Sequence, residues 1–330
     1  MPYSENSSFG RRIDPPPDPS PIALTSFKKS VGSDMLPVGL PYHQLFPMVV
    51  AAGFGAIEME AVADGDEAAE VRDAADRAGL KIHSVVANES WHYPLSSADR
   101  DEVQTGLRIL CSALANAQLW GAGTLLVIPA VVTATTSYSD AYTRSQAVIR
   151  NELLPVAQEL GIVLGIENVW NGFLLGPFEY ARYIDEFESP WVRAYLDVGN
   201  IIFGHPEHWI RIVGSRIVKV HIKDFRLDRA LGSFSFGKLG DGTINWNAVR
   251  AALLEVGFSS YITNTGIPRG RLNDWIVHGL RISRTHLSTM PGSSRLDRVL
   301  SGVRRHRDIR FLHDVARRFD RFRDGTMPEK

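Results

Sequence analysis

The feature that most constrains this chain is a rhythm. A short apolar run, an amphipathic stretch and a turn follow one another repeatedly from residue 30 to residue 263. The apolar runs at 30–35, 56–59, 80–86, 124–128, 162–166, 192–196, 217–222 and 261–263 have the length of buried strands. Between them the period lengthens. Ala68, Val71, Ala75 and Ala78 share one helical face over 66–78, and Gly79 is placed to stop that helix. Val103, Leu107, Leu110 and Leu114 form a second face after Ser97, a candidate N-cap. Residues 139–160 read as a helix stopped by Gly161, and Pro177 suits the first turn of a helix reaching residue 187. Residues 206–213 read as a helix, and Asn245 is placed to cap another through 256. Strands alternating with helices pair in parallel, because each crossover returns the chain to the end of the sheet where the previous strand began. Eight such units predict an α/β fold, a (β/α)8 TIM barrel. A doubly wound open sheet is the alternative, but no Gly-rich dinucleotide fingerprint follows the first strand.

The ends depart from that rhythm. Pro15, Pro16, Pro17, Pro19 and Pro21 break any ladder or helix, so residues 1–26 are expected to form a disordered tail. The barrel is expected over 27–265. From Thr265 to Lys330 there are 15 Lys and Arg against 7 Asp and Glu, although the whole chain balances 36 against 37. Residues 266–310 therefore read as an atypical Arg-rich insertion, and 311–330 as a final helix and tail carrying the stripe Phe311, Val315, Phe319, Phe322. So abrupt a change is also what a shifted reading frame leaves, with register regained near Phe311.

Near-neutral charge argues against a general nucleic-acid binder. No run approaches the roughly 18 apolar residues of a membrane span. The lone Cys111 excludes an intrachain disulfide, and no apolar stretch accompanies Arg11 and Arg12 as in a secretory signal, so a cytoplasmic location is expected.

Barrel enzymes carry their chemistry at the carboxyl ends of the strands. Three polar residues interrupt successive strand ends there: Glu167, Asp197 and His221. Singly, each has a plainer reading, as a helix-capping carboxylate or a core histidine. In register on neighbouring strands, they form an N/O site for one divalent metal ion, with Mn, Mg, Co and Zn all suitable. Lys223 shares the phase of His221 and could meet a phosphate. His83 and Trp91 are read as lying after the third strand and lining a sugar pocket, while Asn168, Trp170 and Asn171 follow Glu167 and shape it.

The ordered set Glu167-Asn168-Val169-Trp170-Asn171, Tyr195-Leu196-Asp197-Val198-Gly199-Asn200, Lys219-Val220-His221-Ile222-Lys223-Asp224 and Gly240-Asp241-Gly242 resembles the sugar phosphate isomerase/epimerase family of xylose isomerase-like TIM barrels. Within it, the likeness extends to L-ribulose-5-phosphate and L-xylulose-5-phosphate 3-epimerases. The resemblance implies metal-dependent isomerisation or epimerisation of a ketose or ketose phosphate, by proton abstraction next to the carbonyl. It implies Glu167 as catalytic base, Glu167, Asp197 and His221 as metal ligands, and a place for Glu58 in orienting substrate or a neighbour. The family's fourth ligand, a glutamate after the eighth strand, falls at Thr265. That replacement is expected to impair exchange on both faces of the intermediate. The alternatives are a lyase or dehydratase acting on a keto-sugar or C-glycoside, and a non-catalytic sugar-binding barrel. The expected partner is a small sugar or sugar phosphate, with a homo-oligomer left open. DNA is not expected, since Asn200 stands where repair enzymes on this barrel place a histidine.

Overall fold

The computed structural model describes residues 27–228, 230–265 and 309–328. The Pro-rich tail, Arg229 and nearly all of 266–310 lie outside the described residues. Eight parallel strands close a barrel: β1 (Lys28–Gly32), β2 (Ala56–Glu60), β3 (Lys81–Val86), β4 (Thr124–Val127), β5 (Val163–Glu167), β6 (Val192–Asp197), β7 (Ile217–Ile222) and β10 (Tyr261–Asn264), which pairs back onto β1. The two remaining strands, β8 (Asp224–Asp228) and β9 (Ser233–Gly237), form an antiparallel hairpin outside the barrel.

Around the barrel run α1 (Tyr42–Ala51), α2 (Gly65–Ala78), α3 (Arg100–Trp120), α4 (Tyr138–Val148), α5 (Leu154–Leu160), α6 (Pro177–Asp185), α7 (Pro206–Val213), α8 (Trp246–Glu255) and α9 (Ile309–Asp324). Helices α4 and α5 are one helix interrupted by a π turn, Ile149–Leu153. The interruption ends two residues before Pro155, which has no N–H for the ladder and whose ring crowds the turn before it. Gly161 ends α5 in the left-handed region at φ 68°, where a side chain would be strained. Asn245 caps α8 by accepting from the Ala248 N–H at 3.1 Å. Asp99, rather than Ser97, caps α3, and Ser97 instead donates to Glu102.

The first strand starts earlier than the apolar run suggests. Its pairing partners run from Lys28 to Gly32, and Ser33–Met35 forms a 3-10 turn whose Ser33 hydroxyl accepts from the Glu60 N–H at 3.0 Å. Helix α9 packs beside α8 and α1, where the eighth helix of the barrel belongs. Phe322 stacks on Phe27 at 5.9 Å and meets Trp246 edge-on at 5.5 Å. Lys29 reaches Asp320 at 2.8 Å. Phe322→Ala is expected to destabilise the fold by about 3–5 kcal/mol, because a fully buried ring at this seam leaves a cavity. Urea unfolding checks it.

Candidate active site

The register of the strands assembles the site. Asp197 on β6 lies beside His221 on β7, and His221 beside Thr263 on β10. Glu167 on β5 pairs with Tyr195, two residues before Asp197. One ligand atom each from Glu167, Asp197 and His221 falls within 4.8 Å of the others, and all three residues are buried. His221 Nδ1 lies 3.0 Å from Glu167 Oε1 and 3.9 Å from Asp197 Oδ2.

The other ring nitrogen fixes the imidazole. Nε2–H donates to Glu58 Oε1 at 2.8 Å, and the Tyr195 hydroxyl donates to Glu58 Oε2. Glu58 is 3% exposed and Tyr195 fully buried, so this support is held away from water. Room for the Tyr195 ring comes from β5, since a Cβ on Gly165 would sit 2.8 Å from it. Asp197 is held by its backbone as well as its carboxylate. Its N–H donates to Asn168 Oδ1 at 2.8 Å, the Asn168 amide donates to its carbonyl at 3.0 Å, and Asp197 Oδ1 accepts from the Gly199 N–H at 2.8 Å. Lys223 Nζ donates to Asp197 Oδ2.

Charge follows geometry. Burial lifts the Glu167 carboxyl above the usual carboxylate range, with the His221 hydrogen bond opposing and Asp197 adding to the rise. Burial also works against charge on Glu58, but His221 and Tyr195 outweigh it and hold its pKa below the ordinary value. Burial alone would lower His221, yet Glu58 and Glu167 on its two sides raise it to about 10. A metal taking Nδ1 must drive that proton off, which a divalent charge beside two carboxylates does. The donor set therefore fits a divalent cation: two carboxylates, one imidazole nitrogen on their side, and a carboxylate fixing the opposite nitrogen.

The other sequence candidates separate. Glu58 is hydrogen-bonded to His221. Lys223 reaches Asp197. Asn168 braces Asp197, and the Asn171 amide donates to the Ala130 carbonyl while its oxygen accepts from the Phe173 N–H, so these amides tie the loop after β5 to β6 and to the segment after β4. Trp170 Nε1 donates to the Asn200 carbonyl at 2.9 Å, and its ring stacks on Phe236 of the hairpin. Trp91 is buried in the turn Ser90–His92 against His92. His83 needs correction. It lies inside β3 rather than after it, buried in the barrel, 2.7 Å from the Ser30 hydroxyl and 3.2 Å from that of Thr263. The register between β2 and β3 shifts here, Ile57 pairing with Ile82 and Glu58 with Ser84, so His83 is the extra residue of a bulge. Thr265 follows β10 on the phase of Thr263, and its buried hydroxyl has no hydrogen-bond partner among the described residues. Tyr195 was missed as a site residue. Its signal was its phase, two residues before Asp197 on the same inward face.

Comparison with known proteins agrees with this architecture. The family described as xylose isomerase-like TIM barrel matches residues 46–286. The structure of D-psicose 3-epimerase from Clostridium cellulolyticum superposes with a TM-score of 0.68 at 17% identity, covering 92% of this chain and 100% of that one. A structure of L-ribulose 3-epimerase gives 0.64 at 20% identity, covering 91% and 95%. A 3-keto-D-glucoside 4-epimerase from E. coli gives 0.62 at 17% identity, covering 76% and 98%. A 3-oxo-isoapionate decarboxylase from Pectobacterium atrosepticum is 28% identical over 107 residues, which is 31% of this chain and 38% of the relative's length.

Proposed function

Since the chain belongs to the xylose isomerase-like TIM barrel family, we propose that it is a divalent-metal-dependent enzyme acting on a ketose or related keto-sugar by proton abstraction next to the carbonyl. The observation carrying this reading is the convergence of Glu167, Asp197 and His221, with the far nitrogen of His221 tied to Glu58. A cation held by those three residues would supply Lewis acidity toward the oxygen that becomes negative as the carbon acid ionises.

The chain's own residues do the rest. Glu167, with its pKa lifted by burial, takes the proton from the carbon beside the carbonyl. The C–H electron pair moves into the carbon–carbon bond and the carbonyl pair onto oxygen, giving an enediolate. The proton held on Glu167 exchanges with water, and Glu167 then protonates the same carbon, or its neighbour on the same face while the hydroxyl proton passes to the other oxygen. The first outcome is exchange with solvent and the second is aldose–ketose isomerisation. Glu58 and Tyr195 keep His221 from turning, and Asn168 holds the backbone of Asp197. Thr265, where the resemblance places a second glutamate, carries a neutral hydroxyl that cannot serve as a base at neutral pH. The proposed chemistry is thus one-faced, and epimerisation is its slow side.

The same replacement supports a second reading, decarboxylation of a 3-oxo sugar acid, also suggested by the partial likeness to the decarboxylase. There a carbon–carbon bond breaks, its electron pair becomes the enolate, CO2 leaves, and one proton is delivered to one face. No opposite base is needed. Incubation of purified, metal-analysed protein with ketoses in deuterium oxide tests the first reading. One divalent ion per chain with deuterium incorporation supports it. CO2 release from a 3-oxo sugar acid without exchange into ketoses supports the second, and neither activity removes both.

Glu58→Ala is expected to weaken Co2+ or Mn2+ binding by about 10–100-fold, because the imidazole loses the partner that orients it. Titration calorimetry checks it, with denaturation of the metal-free protein separating a binding loss from unfolding.

A further inference from the structure

The lysines of this protein divide into two sets. Of the six described, Lys29, Lys223 and Lys238 each sit on an aspartate: Asp320, Asp197 and Asp314. The other three, Lys28, Lys81 and Lys219, have no ion pair with any described carboxylate, and they gather in one place. Lys28 and Lys81 are the exposed first residues of β1 and β3, at the amino end of the barrel. Lys219 is the third residue of β7 and only 6% exposed. Tyr261, the first residue of β10, is in register with Lys28, and its ring has Lys219 Nζ at 4.6 Å and Lys28 Nζ at 5.3 Å from its centroid. The His83 ring stacks on the same tyrosine at 4.3 Å, and its Nδ1 is buried with no hydrogen-bond partner among the described residues.

This grouping is unfavourable as it stands. Like charges repel, and a desolvated ammonium normally carries an anionic partner. The Tyr261 ring offsets only part of that cost. The Lys219 ammonium is almost wholly buried and shares the Tyr261 ring with that of Lys28, while Lys81 opens β3 at the same end of the barrel. His83 cannot relieve them, since burial and then the charge of Lys219 hold it neutral. What would satisfy the arrangement is a compact group with several acceptor oxygens and more than one negative charge.

We propose that the amino end of the barrel is a binding site for a phosphate-type oxyanion, held by Lys28, Lys81 and Lys219 beside the Tyr261 ring. It opens where β1 and β3 begin, with Lys219 two residues before His221 on β7, and it is read by phosphate binding rather than by the reaction assigned to Glu167, Asp197 and His221. Its ligand class is a small phosphate-bearing molecule.

The test uses the metal-loaded full chain with lysines labelled at Cε, titrated with inorganic phosphate at constant ionic strength. The expected result is saturable shifts of Lys28, Lys81 and Lys219, with Lys29 and Lys238 unmoved. Lys219→Met should weaken that binding by about tenfold or more, as loss of a charge-assisted hydrogen bond predicts. Lys223→Met, at the mouth, should leave it intact. If Lys219→Met does not fold, the exposed pair Lys28→Ala with Lys81→Ala should show the same weakening. Equal, non-saturating shifts at all lysines would mean screening only and overturn the proposal. So would saturation that survives loss of Lys219, or of Lys28 and Lys81 together.

Discussion

Glu167→Gln is expected to slow exchange of the substrate's carbon-bound proton with solvent by about 10²–10⁴-fold, the usual contribution of a positioned general base. The substitution keeps the size of the side chain and one oxygen toward His221 Nδ1, now 3.0 Å away. It removes the charge and the capacity to accept a proton from carbon. The neighbouring carboxylates cannot substitute. Glu58 is occupied by His221 and Tyr195, and Asp197 by Gly199 and Lys223. The measurement is deuterium incorporation at saturating metal, because Gln also weakens a ligand and affinity must not limit the comparison. If exchange continues at the wild-type rate with metal saturated, Glu167 is not the base and the proton leaves from the other side of the sugar.

The alternation of strands and helices was legible because burial imposes it locally. A parallel strand covered on both sides has to be largely apolar, as at Thr124–Val127, and the crossover helix has to be amphipathic. The three converging residues were legible for a related reason: a carboxylate or imidazole at the end of such a strand breaks a pattern that burial otherwise enforces. The hairpin β8–β9 was not read. Its Ser-Phe-Ser-Phe-Gly run alternates as a half-buried strand should, with Phe234 and Phe236 turned toward Trp170, but it lies within a polar turn-rich segment. Asp224 is out of phase with His221 and Lys223, and it accepts from the Gly240 and Gly242 N–H groups and the Trp246 indole, each at 2.9 Å, fixing the loop before α8.

His83 shows the limit of local reading. The apolar run 80–86 already contains it, but the register shift at this residue is a property of β2 as much as of β3. The role of Glu58 has the same origin. Its contact with His221 spans 163 residues of sequence, and only closure of the barrel creates it. The polar chain Tyr195–Glu58–His221–Glu167 is therefore a product of the closed barrel, while each of its members is an ordinary strand residue taken alone.

Thr265→Glu is expected to raise epimer formation by about 10²-fold or more, the scale of a second positioned acid/base group. Thr265 lies two residues past Thr263, which pairs with His221, so a longer side chain there extends toward the same mouth. Its present hydroxyl is buried without a hydrogen-bond partner among the described residues, which makes the exchange of threonine for a ligand-bearing side chain inexpensive in lost bonds. The new carboxylate would face the enediolate from the side that Glu167 does not reach, and two-face proton transfer is what inverts the carbon. Nuclear magnetic resonance of the product sugar separates the outcomes: exchange with retention in the wild type, exchange with inversion in the variant. A folded, metal-loaded variant that still exchanges without inverting would mean that position 265 does not face the substrate, and that another segment of the chain closes this side of the mouth.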